Sequence, residues 1–307
     1  MIAALLRPRR MDIVFTCGAA LLTVALIGHR EVPDLMGLGI VLDTVAPWLG
    51  LLIPVLAVAA LGLRAPFGVA ATLVPLLVWA HLFGAWWASH PMTVGDKRLR
   101  VVTQNLYAGN RQPADTARAL VATGADLVAL QEVTSADRAG IAILADAYPY
   151  HHAEGTVELW SRYPLGRSGP ADVGAGWRRG LRALVQTPFG TIAVYVVHLP
   201  SARPGATADR DRGLHTLSAE LTADRAENVV VLGDFNTTDT DRNWPGFAPG
   251  YFDVQRRAGT GPGFTWPAGF PIARPDHILV RGLQATAAST FETPGPDHRA
   301  VTAVICR

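Results

Sequence analysis

Two hydrophobic regimes divide the chain. In the first ninety residues apolar positions run on with no polar face between them, and the stretches Met11–Gly28, Thr44–Leu63 and Pro66–Ser89 stand out. Each approaches or exceeds the roughly 20 apolar residues that a membrane crossing needs. A helix in a soluble core keeps a polar stripe on its outer side, whereas nearly every position of Thr44–Leu63 is apolar. The pattern predicts three transmembrane helices. A cleaved signal peptide would account for the first stretch alone, because Arg7, Arg9 and Arg10 precede an apolar core. Two further stretches follow, and no small-residue cleavage site lies directly after Gly28.

From Leu99 onward the pattern changes to short β-rich runs separated by amphipathic stretches. Strands are predicted at Leu99–Asn105, Leu127–Gln131, Val157–Ser161, Leu181–Thr187, Thr191–His198, Asn228–Gly233, His277–Val280 and Ala300–Cys306. Helices are predicted at Asp115–Thr123, Ser135–Ala145 and Thr207–Ala223, and the Gly/Pro-rich stretches Gly166–Gly176 and Gly259–Pro275 read as loops. Such alternation implies a mixed α/β domain with buried sheets. The expected organisation is a membrane anchor over residues 1–95 and one compact domain over 96–307.

Composition sharpens this division. Hydrophobic residues make up 50% of the chain and charged ones 17%, too apolar for an enzyme that is water-soluble throughout. From Asp96 onward 22 basic residues face 21 acidic ones. That part has no single-sign field to gather nucleic acid by counterion release, so nucleic acid is not the expected partner. Arginine supplies all but one of the basic residues, which with abundant alanine fits a GC-rich bacterial genome. Cys17 and Cys306 are expected to be unpaired thiols.

Short-loop arginines set the expected orientation. Arg7, Arg9 and Arg10 flank the first span on the side where Arg64 joins the second and third. The opposite loop, His29–Asp43, holds one arginine against Glu31, Asp34 and Asp43. By the positive-inside rule the N-terminus is cytoplasmic and, after three crossings, the compact domain is extracytoplasmic. Trp79, Trp86 and Trp87 gather toward the outer end of the third span as interfacial aromatics do, and His81, mid-span, is expected to pack within the bundle.

Candidate chemistry sits where apolar runs end. The runs are Val101–Asn105 (VVTQN), Leu127–Glu132 (LVALQE), Val194–His198 (VYVVH), Val229–Asn236 (VVVLGDFN), Pro275–Val280 (PDHILV) and Pro296–Val301 (PDHRAV). In α/β sheets catalytic groups gather at the C-terminal ends of strands. Singly, each residue has a plainer explanation: Asn105 in a turn, Glu132 as a helix cap, His198 in the core, Asp234 and Asn236 in a turn, Asp276 and Asp297 as loop acids. The ordered set points to a site.

The series Asn105, Gln131-Glu132, His198-Leu199, Gly233-Asp234-Phe235-Asn236, Asp276 and Asp297-His298 resembles the endonuclease/exonuclease/phosphatase superfamily, from Leu99 to the C-terminus. That superfamily includes deoxyribonucleases, abasic-site endonucleases, sphingomyelinases and inositol polyphosphate phosphatases. The resemblance implies a four-layer sandwich, two β-sheets face to face with helices outside, here preceded by three transmembrane helices. Three spans followed by a compact domain is similar to actinobacterial teicoplanin-resistance proteins, which implies a cell-envelope, antibiotic-resistance role on undecaprenyl-linked phosphates. Two departures bear on loop geometry: Pro296 precedes Asp297-His298, and the earlier motif reads Pro275-Asp276-His277. Where some nucleases carry an acid two residues after the first Asn, this chain has Tyr107, which argues against a second metal position.

The resemblance also implies roles. Hydrolysis of a phosphate ester needs charge neutralisation on the phosphoryl oxygens, an in-line water and help for the leaving oxygen. Glu132 is the leading ligand for Mg²⁺, with Mn²⁺ as the alternative, and Asn105 and Asp297 complete the metal site. Asp234 orients or deprotonates the attacking water, and Asn236 holds the water or a phosphoryl oxygen. His298, its tautomer fixed by Asp276, stabilises developing charge as a cation, and His198 is a second donor to the phosphate. Gly174–Gly180 reads as a flexible loop, near which Arg178, Arg179 or Arg182 could contact an anionic headgroup.

The connection His90–Arg98 is nine residues and spans about 30 Å fully extended, which holds the site near the bilayer. The expected substrate is therefore a phosphorylated lipid, a polyprenyl phosphate or diphosphate. A sphingomyelinase-like phosphodiesterase and a membrane-tethered nuclease are the alternatives. A non-catalytic binding module that kept the fold would have lost some of the six positions, and none is lost.

Overall fold

The structure is a computed structural model that describes residues 10–88, 97–203 and 205–307. Arg7, Arg9 and most of the connection His90–Arg98 lie outside the described residues. The chain divides into two compact units, Met1–Ala88 with Thr240–Arg242, and Ser89–Asp239 with Asn243–Arg307.

The first unit contains three helical stretches long and apolar enough to cross a membrane: Arg10–Glu31, Leu35–Gly62 and Pro66–Trp87. Their outward surface stays apolar, with Leu21 71%, Val58 70% and Leu77 69% exposed, a surface that water does not support at this extent. The first helix, α1 (Arg10–Gly28), opens on Asp12. Its buried carboxylate accepts from the backbone N–H groups of Phe67, at 2.9 Å, and Gly68, at 3.2 Å. Those donors belong to the first turn of the helix Pro66–Ala71 and have no acceptor within it. A side chain at Gly68 would sit 2.6 Å from Phe15 Cβ, so glycine permits the close approach. Trp79 donates to Pro47 O at 2.7 Å and belongs to an aromatic cluster with Phe83, Trp86 and Trp87. His81, expected to pack, is exposed instead, because it shares the outward helix face with Leu77 and Leu82.

The second unit contains two six-stranded sheets. One has the order β11-β12-β1-β2-β4-β3 and the other β5-β6-β7-β8-β10-β9. The strands of the first are β1 (Arg98–Asn105), β2 (Leu127–Gln131), β3 (Tyr150–Glu154), β4 (Val157–Ser161), β11 (Gln284–Phe291) and β12 (Ala300–Cys306). Those of the second are β5 (Leu165–Pro170), β6 (Gly180–Thr187), β7 (Gly190–His198), β8 (Val229–Asp234), β9 (Phe252–Asp253) and β10 (Asp276–Arg281). Each sheet has one parallel pair, β1–β2 and β7–β8, bridged by a helix, Pro113–Ala122 in the first and Ala208–Ala223 in the second.

Strand periodicity explains the layering. Along β7, Ile192, Val194 and Val196 enter the core shared by both sheets, while Ala193, Tyr195 and Val197 face the core under helix Ala208–Ala223. That helix answers with Leu214, Leu217 and Leu221, spaced to share one face. On the first sheet Leu99 and Val101 point to the shared core, and Val102 to the one packed by Ala117 and Leu120. Strands covered on both faces read as unbroken apolar runs, which is how the middle of β7 and β8 reads. The four-layer sandwich is the observed fold. Both cysteines are free.

The structure departs from the predicted elements in a consistent way. Residues Leu165–Pro170, within a stretch read largely as loop, form β5; its Gly, Ser and Pro sit on an edge, paired to β6 across a register shift. Strands β3, β9 and β11 are likewise absent from the sequence-based set. The segment Ser135–Ala145 holds only the helical turn Arg138–Ile141, which runs into 3₁₀ turns over Ala142–Asp146. The Asp137 carboxylate, accepting from both the N–H and the hydroxyl of Thr134, keeps the preceding residues as a turn.

Candidate active site

The second sheet places four side chains in one row. On parallel strands His198 of β7 stands opposite Asp234 of β8, and on antiparallel strands Asp276 of β10 stands opposite Asp234. On the other side Gly180 of β6 pairs with Val197, and His198 N–H donates to Arg179 O at 2.9 Å. Arg179, His198, Asp234 and Asp276 thus share one rung of the ladder. The first sheet contributes Asn105 at the end of β1, opposite Gln131 of β2, with Glu132 directly after it. Gly233, which precedes Asp234, has φ 149°, and a side chain there would lie 1.9 Å from Val197 O. Glycine at that point lets β8 approach β7.

Asn105 ties the two sheets together. Its Nδ2 donates to Glu132 Oε1 at 3.1 Å and to Asp234 Oδ2 at 2.9 Å, while its Oδ1 accepts from Tyr107 N–H at 2.9 Å. Glu132 Oε2 accepts from Ala108 N–H at 2.9 Å. Asn236 donates its backbone N–H to Asp234 Oδ1 at 2.8 Å, and its Nδ2 reaches Leu199 O at 2.9 Å. Tyr107, Glu132 and Asn236 have φ of 62°, 57° and 48°, a left-handed conformation that costs non-glycine residues energy and is held by the surrounding bonds.

His298 enters from the loop before β12. Its Nδ1 bonds Asp276 Oδ2 at 2.8 Å, and the Thr265 hydroxyl donates to that same oxygen. Gln104 holds the loop from beneath, donating to His298 O at 3.0 Å and Asn105 O at 2.6 Å, and it accepts from the Thr293 hydroxyl at 2.8 Å. His198 Nε2 faces Glu132 Oε1 at 3.6 Å and Asp234 Oδ2 at 3.8 Å.

These surroundings set the charges. Burial and then the like charge of Asp276 raise the Asp234 carboxyl to about 7. Burial works against the His298 imidazolium, but the charge and hydrogen bond of Asp276, then Asp234 and Asp297, raise it to about 10. Burial, with Arg179 and His298 nearby, drives His198 well below the usual histidine range. The site therefore pairs a carboxyl that titrates near neutrality with one cationic and one neutral histidine, a division of acid and base roles.

Two groups of residues bring possible metal-ligating atoms within 4.8 Å of one another: Glu132, His198 and Asp234; and Asp234, Asp276 and His298. The first adjoins the Asn105 amide, and its two carboxylates suit a hard divalent cation that keeps several waters. A half-turn of the amide presents Asn105 Oδ1 to that position. The second group suits a metal less, since His298 Nδ1 is engaged with Asp276. Asp297 is half-buried beside His298 and belongs to neither group. The other expected residues, Asn105, Glu132, His198, Asp234, Asn236, Asp276 and His298, form one connected constellation. Gln104 and Thr265 join it unforeseen, and Arg179 joins it through His198. Of the three arginines considered for anion contact, Arg178 instead pairs with Glu154, and Arg182 with Asp224 on the helix-covered face. Both are occupied by local carboxylates.

Comparison with known structures places this fold. D. rerio TDP2, humanized by 14 mutations, superposes with a TM-score of 0.60 at 19% identity, covering 68% of this chain and 99% of that one. The endonuclease/exonuclease/phosphatase from Beutenbergia cavernae gives 0.58 at 20%, covering 68% and 72%. A Staphylococcus aureus beta toxin gives 0.54 at 15%, covering 67% and 99%. At these identities the likeness is one of fold. No curated protein matches the chain in sequence. The model of the Endonuclease/Exonuclease/phosphatase family matches residues 102–300. The chain belongs to the endonuclease/exonuclease/phosphatase family, and so to the enzymes that hydrolyse phosphoric esters with a divalent metal ion.

Proposed function

We propose that this enzyme is a membrane-anchored, extracytoplasmic phosphohydrolase acting on a phosphorylated lipid, a polyprenyl phosphate or diphosphate such as the undecaprenyl carriers of the cell envelope. The observation that carries the reading is the covalent union of apolar, span-length helices with a phosphohydrolase site. A short connection keeps that site where lipid headgroups are the local phosphates.

Asp234, poised near neutrality, accepts a proton from the attacking water, and Asn236 holds Asp234 and the water in register. His298, kept as an imidazolium by Asp276, directs its Nε2–H at the phosphoryl or leaving oxygen. His198 offers one N–H from the opposite side. Glu132 and Asn105, with Asp297 implied by the family pattern, would hold Mg²⁺ or Mn²⁺, which when bound supplies positive charge to the phosphoryl oxygens.

A phosphodiesterase or nuclease is the second reading, favoured by the likeness to TDP2, one structure of which is complexed with a single-strand DNA product. The near balance of 22 basic and 21 acidic residues from Asp96 onward weighs against a nucleic-acid groove. The deciding experiment gives the detergent-solubilised full chain undecaprenyl diphosphate, sphingomyelin and plasmid DNA, each with Mg²⁺ and with EDTA. Metal-dependent release of phosphate from the polyprenyl lipid is expected. Cleavage of sphingomyelin or DNA without it overturns the proposal.

A further inference from the structure

Arg179 has no carboxylate of its own. Its neighbours in sequence do: Arg178 reaches Glu154 at 2.9 Å, and Arg182 takes both oxygens of Asp224 at 2.7 and 3.1 Å. No carboxylate among the described residues lies within ion-pair distance of Arg179. Its Nη2 instead lies 2.8 Å from His198 Nδ1 and 2.5 Å from Nε2. Its Cζ sits 4.8 Å from the centre of the exposed Trp177 ring, and its Nε is buried without a hydrogen-bond partner. Withdrawing a guanidinium from water without an anion is unfavourable. The negative charges that act on it are Asp234 and Glu132, which the reaction and its metal ion claim.

We propose that Arg179 binds substrate, taking an oxygen of a terminal, doubly charged phosphate and thereby selecting phosphomonoesters and diphosphates over phosphodiesters. The inference rests on the phosphohydrolase reading of the site and names the substrate class more narrowly. A diester phosphate has two non-bridging oxygens, and the His298 side and the Glu132–Asn105 corner suffice for them. A terminal phosphate has a third, with a second negative charge, and the unpaired cation left in the row is Arg179. Guanidinium geometry suits two-point contact with phosphate oxygens. Two packed neighbours, the Trp177 face and the His198 ring, hold the fork in place, so little freedom is lost when the phosphate arrives. Arginine only donates, so the His198 nitrogen facing it must accept.

The test uses the full chain in detergent micelles with Arg179→Lys and Arg179→Met, both long enough to keep the Trp177 contact. Three sets of measurements are made: kcat and KM on a polyprenyl monophosphate, kcat and KM on sphingomyelin, and binding of inorganic phosphate by calorimetry with Mg²⁺. For Arg179→Met, kcat/KM on the monophosphate should fall about a hundredfold, the scale of losing one charge-aligned donor. The diester should lose less than about tenfold on the same scale. Phosphate binding should weaken in parallel, Lys should restore part of it, and the melting temperature should hold or rise. Equal losses on both lipids, or unchanged phosphate binding, overturn the proposal. If Arg179→Met abolishes phosphate binding while the parent hydrolyses neither lipid, the lipid reading fails and the anion-binding role of Arg179 stands.

Discussion

Replacing Asp276 by Asn leaves the outline of the site intact and removes one charge with two dependants. His298 Nδ1 lies 2.8 Å from Asp276 Oδ2. With an effective dielectric of about 20, that separation corresponds to a Coulombic ceiling of about 6 kcal/mol. Loss of a single oriented donor in comparable sites costs about 3–4 kcal/mol, a hundredfold to a thousandfold in rate, and Asp276→Asn should fall in that range. The pH profile carries the sharper signature. Burial and then repulsion by Asp276 raise the Asp234 carboxyl to about 7, and against burial the attraction of Asp276 helps raise the His298 imidazolium to about 10. Removing it lowers both, so the acidic and alkaline limbs of kcat/KM should move to lower pH together. A merely structural loss would reduce the height of the profile and leave its limbs in place. His298→Ala should be at least as damaging as Asp276→Asn, and the double variant little worse than His298→Ala, because the two act as a unit. Initial rates from pH 5 to 11 for the parent, both singles and the double, with melting temperatures alongside, supply the data. Unmoved limbs, or fully additive rate losses, refute the mechanism assigned to this pair.

Three further outcomes are expected. Glu132→Gln should keep its fold and lose most activity, with partial rescue at higher Mg²⁺; normal turnover, or indifference of the parent to EDTA, would remove Glu132 from the metal site. A reporter fused after Arg307 should be active only outside the cytoplasm, and normal maturation of a cytoplasmic fluorescent fusion would reverse the orientation read from the short loops. Asp224 is subject to burial, which raises its pKa, but bonds from Arg182, Tyr195 and the Ala226 N–H outweigh this and lower it from 3.8 to about 2. Its stabilisation, about 2 kcal/mol, is fully present above pH 4 or so and lost as pH falls through about 2. Asp224→Asn should be less stable at pH 7 by that amount and should flatten this part of the acid-unfolding curve, and an unchanged curve counts against the network.

How much of this was legible in the sequence depended on where each strand lies in its sheet. The interior strands β1, β2, β4, β6, β7, β8, β10 and β12 announced themselves within a residue or so, because ladders on both sides and packed faces favour apolar residues along them. The four absent from the prediction, β3, β5, β9 and β11, are the four edges of the two sheets. An edge needs a partner on one side only, so sequences such as YHHAE and QATAASTF suffice, and backbone pairing does what side-chain burial does elsewhere. The site followed the same logic. Asn105, Glu132, His198, Asp234 and Asn236 end or directly follow strands that stand out, so their polarity contrasts with the run before them. Arg179 does not. Its relation to His198 exists only through the pairing of β6 with β7, and nothing local separates it from Arg178 or Arg182.

Because Arg179, His198, Asp234 and Asp276 are rung-mates on neighbouring strands, their spacing belongs to the hydrogen-bond ladder and not to the loops that follow. A shift of one residue in any of these strands would turn its functional side chain to the opposite face. Insertions beyond the strand ends leave the row untouched. Variation is therefore unequal along this chain: β6 to β8 and β10 are closed to length changes, while loop segments such as 174–176 and 269–271 can be lengthened, shortened or exchanged. Swapping those loops between relatives should move substrate preference without rebuilding the reacting centre, and this makes them the natural sites for redirecting the enzyme to another phosphate.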